Sequence, residues 1–277
     1  MFTKLGVFHF ANGYSEPFES LRSTIKSKHN SLVGSLVVLP EAFNIRKAYN
    51  NTNTECNIRE TDLWDLQTVA KDFKLSLVAG MVLNYREGNV IKRYNSAYFV
   101  DHLGPRLMCH KVCKDSFEES LIQPPNRFYT YTACDIGSAD IQNPYLHSDD
   151  GSCTAIGALI CIDSHPQPER KNPYLSGGES EPTPEMKRRD RVLDALRERH
   201  CMRKLVCVPA CVVNDFSGGR PPGSVSELFG QNVVALANSV SSTWSFITNS
   251  KGEFLNLGID GSKNQIETVD LCDVLVS

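Results

Sequence analysis

At 277 residues the chain is long enough to bury a large core without disulfide or metal staples, and 41% apolar against 22% charged residues excludes wholesale disorder. Twenty-nine basic and 32 acidic residues leave a net charge of -3, so charge gives no reason to expect nucleic acid or an anionic membrane as partner. Ten cysteines are the unusual count; in a chain of this length they read as intracellular thiols, with a metal or catalytic role open to some, rather than as a disulfide framework.

The opening Met1 to Phe10 lacks the long apolar region and cleavage site of a signal peptide and reads as a first strand, so a cytoplasmic protein with reduced thiols is expected. Behind Pro17, a good first-turn residue, Phe18, Leu21 and Ile25 recur at helical spacing. Ser35 to Leu39 is a strand closed by Pro40. Leu63, Leu66, Ala70 and Phe73 share one face of a second helix, with Thr61 as its expected cap. Leu77 to Leu83 follows as a strand, and Asn95 to Val100 and Leu107 to Cys113 flank a turn at Gly104.

In the second half, Ala155 to Ile162 is an apolar strand, far shorter than the roughly 20 residues needed to span a membrane. A charged helix with a narrow apolar stripe runs from Glu185 to His200. Strands are expected at Leu205 to Val213, Val233 to Ala237 and Ser245 to Thr248, the last leading into a turn at Asn249 to Gly252. Helices and strands alternate throughout, which predicts an α/β protein, and a single domain over residues 1–277. The Pro- and Gly-rich segments Asp163 to Pro184 and Asn214 to Ser226 read as binding loops.

Three polar residues stand at the ends of apolar strands, where open α/β layers expose side chains to a crevice: Glu41, Lys111 and Cys161. Singly, each has an ordinary explanation: a cap or surface acid, a solvated edge-strand charge, an inert buried thiol. Together, Leu39-Pro-Glu41, Cys109-His-Lys-Val112 and Gly157-Ala-Leu-Ile-Cys-Ile-Asp163 occur in an order that resembles the nitrilase, or carbon-nitrogen hydrolase, superfamily. Asn95-Ser-Ala97, Phe229 to Asn238 and Trp244 to Gly252 extend the resemblance over most of the chain.

The resemblance implies a four-layer α-β-β-α sandwich and a triad in which Glu41 is general base, Lys111 electrostatic stabiliser and Cys161 nucleophile. It also implies an auxiliary acid after the lysine, Glu119 in preference to Glu118, with Lys114 a rival to Lys111. The expected activity is hydrolysis of an amide or N-carbamoyl group through a thioester, with nitrile hydrolysis, acyl transfer or a silent scaffold as alternatives. The expected partners are a small amide-type substrate and a second copy of the chain in a homodimer or larger oligomer, with no cofactor and no metal.

Three details depart from the family pattern: His110 precedes the lysine where arginine is common, Ile162 follows Cys161 where an aromatic or charged residue is frequent, and the segment after Val213 is short, so that the usual long helix ahead of Gln231-Asn232 is expected to be reduced to Val225 to Phe229. Cys161 with His165 makes a weaker protease-like pair that no further motif supports. Cys109 with Cys113 and Cys207 with Cys211 are each about 13 Å apart at strand rise, too far for one zinc ion to bridge, and read as structural thiols.

Overall fold

The computed structural model describes residues 2–11, 16–45, 58–59, 61–87, 89–111, 145–149, 152–161, 184–200, 203–210, 232–239 and 245–274, and in them strands and helices alternate along the chain. Strand β1 (Lys4–His9) leads into helix α1 (Pro17–Leu32), whose first turn is set by Pro17 and whose buried stripe is Leu21, Ile25 and Leu32. Strand β2 (Ser35–Val38) is followed by a short 3-10 turn (Phe43–Ile45) and helix α2 (Asp62–Phe73). Strands β3 (Ser76–Glu87), β4 (Val90–Asp101) and β5 (Gly104–His110) form a meander.

The second half holds β6 (Tyr145–Asp149), β7 (Ser152–Ala158), helix α3 (Pro184–Arg197), β8 (Arg203–Pro209), β9 (Val233–Ala237), β10 (Phe246–Ile247), β11 (Gln265–Asp270) and the short helix α4 (Leu271–Val274). One sheet has the order β11-β1-β2-β3-β4-β5 and the other β10-β9-β8-β7-β6. Parallel pairs (β1 with β2, β2 with β3, β7 with β8, β8 with β9) occupy the middle of each sheet, and antiparallel pairs form the edges.

The six-stranded sheet is apolar on both faces, and strand alternation sorts its side chains into two clusters. Leu5, Val7, Leu36, Val38, Val78, Ala97 and Phe99 pack with Ile156, Ala158, Val206, Val208 and Val234 of the other sheet. Val37, Leu39, Leu77, Ala79 and Val100 pack instead with Leu21 and Ile25 of α1 and with Leu66, Val69 and Ala70 of α2. On the five-stranded sheet, Val192 and Leu196 of α3 lie over Gly157, where a Cβ would stand 2.7 Å from Val192 Cγ1. No helix among the described residues is long and apolar enough to cross a membrane.

Three expectations change. Thr61 occupies the N-cap position of α2 but has helical dihedrals and makes no side-chain cap bond. The buried neighbour Asp62 ties the start of α2 instead, accepting from Arg59 Nε at 2.9 Å and from Asn44 Nδ2 at 2.9 Å. The strands expected to run to Cys113, Ile162 and Val213 stop earlier, at His110, Ala158 and Pro209. Finally, Cys153 is disulfide-bonded, so the thiols are not all reduced; Cys109, Cys161, Cys207 and Cys272 are in no disulfide.

Candidate active site

Glu41 enters at the end of β2. Leu39 donates its backbone N-H to the Val78 carbonyl at 2.8 Å, continuing the β2–β3 pairing, and Pro40 then turns the chain off the sheet. The residue after Glu41, Ala42, has φ 50°, in the left-handed region that costs a side-chain-bearing residue about 1–2 kcal/mol. Asn44 secures the turn by pairing like a strand with the β3 edge: it donates to the Val82 carbonyl at 2.8 Å and accepts from the Val82 N-H at 3.0 Å.

Glu41 also touches the second sheet, its backbone N-H donating to the Ala210 carbonyl at 3.3 Å just past β8. Gly80 makes this approach possible. A Cβ at position 80 would stand 2.8 Å from Glu41 Cα and 2.9 Å from Pro209 Cβ, so only glycine fits where the two sheets and the Glu41 turn meet.

Lys111 follows β5, and its direction is set by a β-bulge. Ala97 pairs with Cys109 and Tyr98 with Leu107, leaving Met108 as an extra residue. Leu107 therefore packs with the helix-side cluster, while Met108 and Cys109 both face the other sheet. His110 returns outward, stacked on Tyr94 at 4.6 Å between ring centroids, and Lys111 points in. In an unbulged strand, Lys111 would share the helix-side face with Leu107.

The result is a fully buried ion pair. Lys111 Nζ donates to Glu41 Oε1 at 2.7 Å, and both side chains are 0% exposed. Asn95 of β4, also buried, donates from Nδ2 to the same Oε1 at 2.7 Å, and its backbone carbonyl accepts from the Lys111 N-H at 2.8 Å.

Cys161 lies three residues beyond β7. The Leu159 N-H bonds the Cys207 carbonyl at 3.1 Å, carrying the β7–β8 pairing forward so that Cys161 lies beside the end of β8, the strand end that Glu41 touches. Cys109 Sγ meets the Ala158 carbonyl at 3.5 Å, so the segment that delivers Lys111 is packed on the segment that delivers Cys161. Cys161 is 6% exposed and has φ 48°, a strained backbone of the kind found where a nucleophile sits on a sharp turn after a strand. Glu41 and Lys111 are thus in direct contact, and Cys161 follows β7, the strand paired with β8; Glu118, Glu119 and Lys114 lie outside the described residues.

No protein-family model and no curated protein sequence matches the chain. Solved structures do. The amidase from Nesterenkonia sp. is 17% identical with a TM-score of 0.56, over 97% of this chain and 90% of the amidase. A cysteine-to-alanine variant of the Nesterenkonia AN1 amidase, from the nitrilase superfamily, gives 17% identity and a TM-score of 0.57 over 98% of this chain and 91% of that one. A glutamate-to-glutamine variant, bearing acrylamide joined by Michael addition at the active-site cysteine, gives 18% identity and 0.57 over 97% and 93%. The fold is that of the nitrilase superfamily.

In this nitrilase fold two further polar residues are fully buried. Asn95 belongs to a motif read from the sequence, but its task was not; the signal was a polar residue two places before Ala97 and four before Phe99 on an otherwise apolar face. His9, at the end of β1, is fully buried. Its Nε2 faces the Gly261 carbonyl at 3.3 Å, which fixes Nε2 as a donor, and Nδ1 then accepts from Ser245 Oγ at 3.1 Å. Ser245 Oγ in turn accepts from the Asn238 N-H at 2.9 Å. Burial favours this neutral form by lowering the His9 pKa, opposed by the Gly261 bond and the charge of Asp260. Among the described residues no cluster of His, Cys, Asp and Glu could hold a metal.

Proposed function

We propose that the chain is a nitrilase-superfamily hydrolase of small amides, a single domain over residues 1–277 built as a four-layer α-β-β-α sandwich. Cys161 is its nucleophile, Glu41 its general base, Lys111 its oxyanion stabiliser and Glu119 its auxiliary acid. The observation that carries this reading is the fully buried Glu41–Lys111 pair, at 2.7 Å, and the positive φ of Cys161 supports it. Burying two charges together is expensive and is weak evidence for stability, so the pair is better explained by chemistry than by folding.

The steps follow from the groups. An ordinary thiol is only a few per cent thiolate at neutral pH, so Glu41 takes the Cys161 proton as sulfur attacks the amide carbon. Negative charge grows on the carbonyl oxygen, and Lys111 stabilises it; removing one such donor from comparable sites costs about 3–4 kcal/mol of barrier. The C–N bond breaks as Glu41 returns the proton to nitrogen, leaving a thioester and releasing ammonia or an amine. Glu41 then removes a proton from water as it attacks the thioester, and the thiolate leaves and is reprotonated. None of this requires a metal or an organic cofactor. A homodimer or larger oligomer and a cytoplasmic location complete the proposal.

The test is mass spectrometry of the protein incubated with small aliphatic amides, with ammonia and acid measured in parallel. The expected result is an acyl mass on the Cys161 peptide in native protein, absent in Cys161→Ala. An unmodified native protein that releases no ammonia from amides, carbamoyl compounds or nitriles would refute the reading.

A further inference from the structure

Asn95 touches both charged groups by different parts of itself. Its side-chain amide donates to Glu41 Oε1, and its backbone carbonyl accepts from the Lys111 N-H. We propose that Asn95 is the positioning residue of the site, fixing which oxygen of Glu41 serves as the base. This rests on the function proposed above and goes beyond it.

The argument is stereochemical. A carboxylate can rotate about its last bond and exchange its oxygens, so an ion pair to one lysine does not by itself assign them. Here Oε1 takes two donors, a charged ammonium at 2.7 Å and a neutral amide at 2.7 Å, approaching from strands β4 and β5. Two donors on one oxygen fix the carboxylate plane and withdraw electron density from Oε1, which leaves proton transfer to Oε2. The ammonium alone would make the pair; the amide orients it. Asn95 is suited to this because it is buried and cannot titrate, and because Lys111 hangs from its backbone, so that Glu41 and Lys111 share a common reference on β4.

Misplacing a reacting group by about 1 Å can cost on the order of 100-fold in rate, so Asn95→Ala should slow the reaction of Cys161 by about 10- to 100-fold. Asn95→Asp keeps the shape and replaces the amide donor by a second carboxylate. Two adjacent carboxylates disfavour double ionisation, so the acid limb of the rate profile should move to higher pH in Asn95→Asp and stay in place in Asn95→Ala.

The experiment alkylates the intact proteins with iodoacetamide from pH 5 to pH 9 and follows the Cys161 and Cys272 peptides by mass spectrometry. Melting temperatures are measured alongside, so that loss of folded protein is separated from loss of reactivity. A slowed Cys161 in Asn95→Ala and a displaced acid limb in Asn95→Asp, with both variants folded, support the proposal. Native-like rates and profiles in the folded variants overturn it and leave Asn95 as packing. A native Cys161 no faster than the exposed Cys272 at any pH overturns the hydrolase reading as well.

Discussion

Glu41 and Lys111 are each fully buried and each other's counter-charge, so neither can be removed alone without leaving an unbalanced charge between the sheets. Lys111→Met or Glu41→Gln alone should destabilise the protein by about 3–5 kcal/mol, whereas the double variant should lie within about 1–2 kcal/mol of native. All three should be catalytically dead, so urea unfolding with an activity assay separates the cost of an orphaned charge from the loss of chemistry. His9 gives the second prediction at this scale. Its folded-state pKa lies below the ordinary 6.5, so above that value it contributes no penalty. As pH falls from 6.5 through the lowered value, the unfolded chain takes up a proton that the buried ring refuses, and stability is lost. Calorimetry should show the native melting temperature declining as pH falls below 6.5, and a shallower decline in His9→Gln.

Two glycines show how elements, rather than single groups, build the site. Gly157 lets α3 lie on β7, and Gly80 lets the Glu41 turn and the end of β8 lie on β3. Alanine at either position overpacks, at about 1–3 kcal/mol. At Gly157 the obstacle is the side chains of Val192 and Leu196, which are remote from the charged pair; at Gly80 it is the backbone of Glu41 itself. Gly157→Ala should therefore lose stability but retain kcat in the folded fraction, and Gly80→Ala should lose kcat beyond its loss of stability, as activity measured against urea midpoints would show. The central strands were legible in the sequence because they are continuous apolar runs, as burial on both faces demands. The edge strands β6 and β11 escaped: Tyr145–Asp149 and Gln265–Asp270 are short and polar, as edges must be to avoid pairing with other chains. Glu41, Lys111 and Cys161 were legible as polar residues closing apolar runs. The bulge at Met108 was not, because an extra residue leaves no mark in composition, yet it decides which way Lys111 points.

At the scale of the whole molecule, the two sheets share one core that includes Cys109, Cys161 and Cys207, so the surface that supports the site is also the surface that holds the sheets together. This makes the free thiols reporters of cooperativity. Cys272 is exposed, while Cys109 and Cys207 are 1% and 0% exposed, and burial pushes the Cys207 thiol above the ordinary range. Alkylation needs a thiolate in contact with reagent, so Cys109 and Cys207 can react only when the space between the sheets opens. If the sheets are one cooperative unit, that opening is global unfolding, and no smaller fluctuation exposes either thiol. In native-state labelling across sub-denaturing urea, followed peptide by peptide, Cys109 and Cys207 should report one opening free energy with one urea dependence, equal to that of global unfolding. Cys272 should label without protection. A lower opening free energy for Cys109 than for Cys207 would instead mean that β5, with the Lys111 it carries, detaches before the rest, and that the charged pair sits on the weaker edge of its sheet.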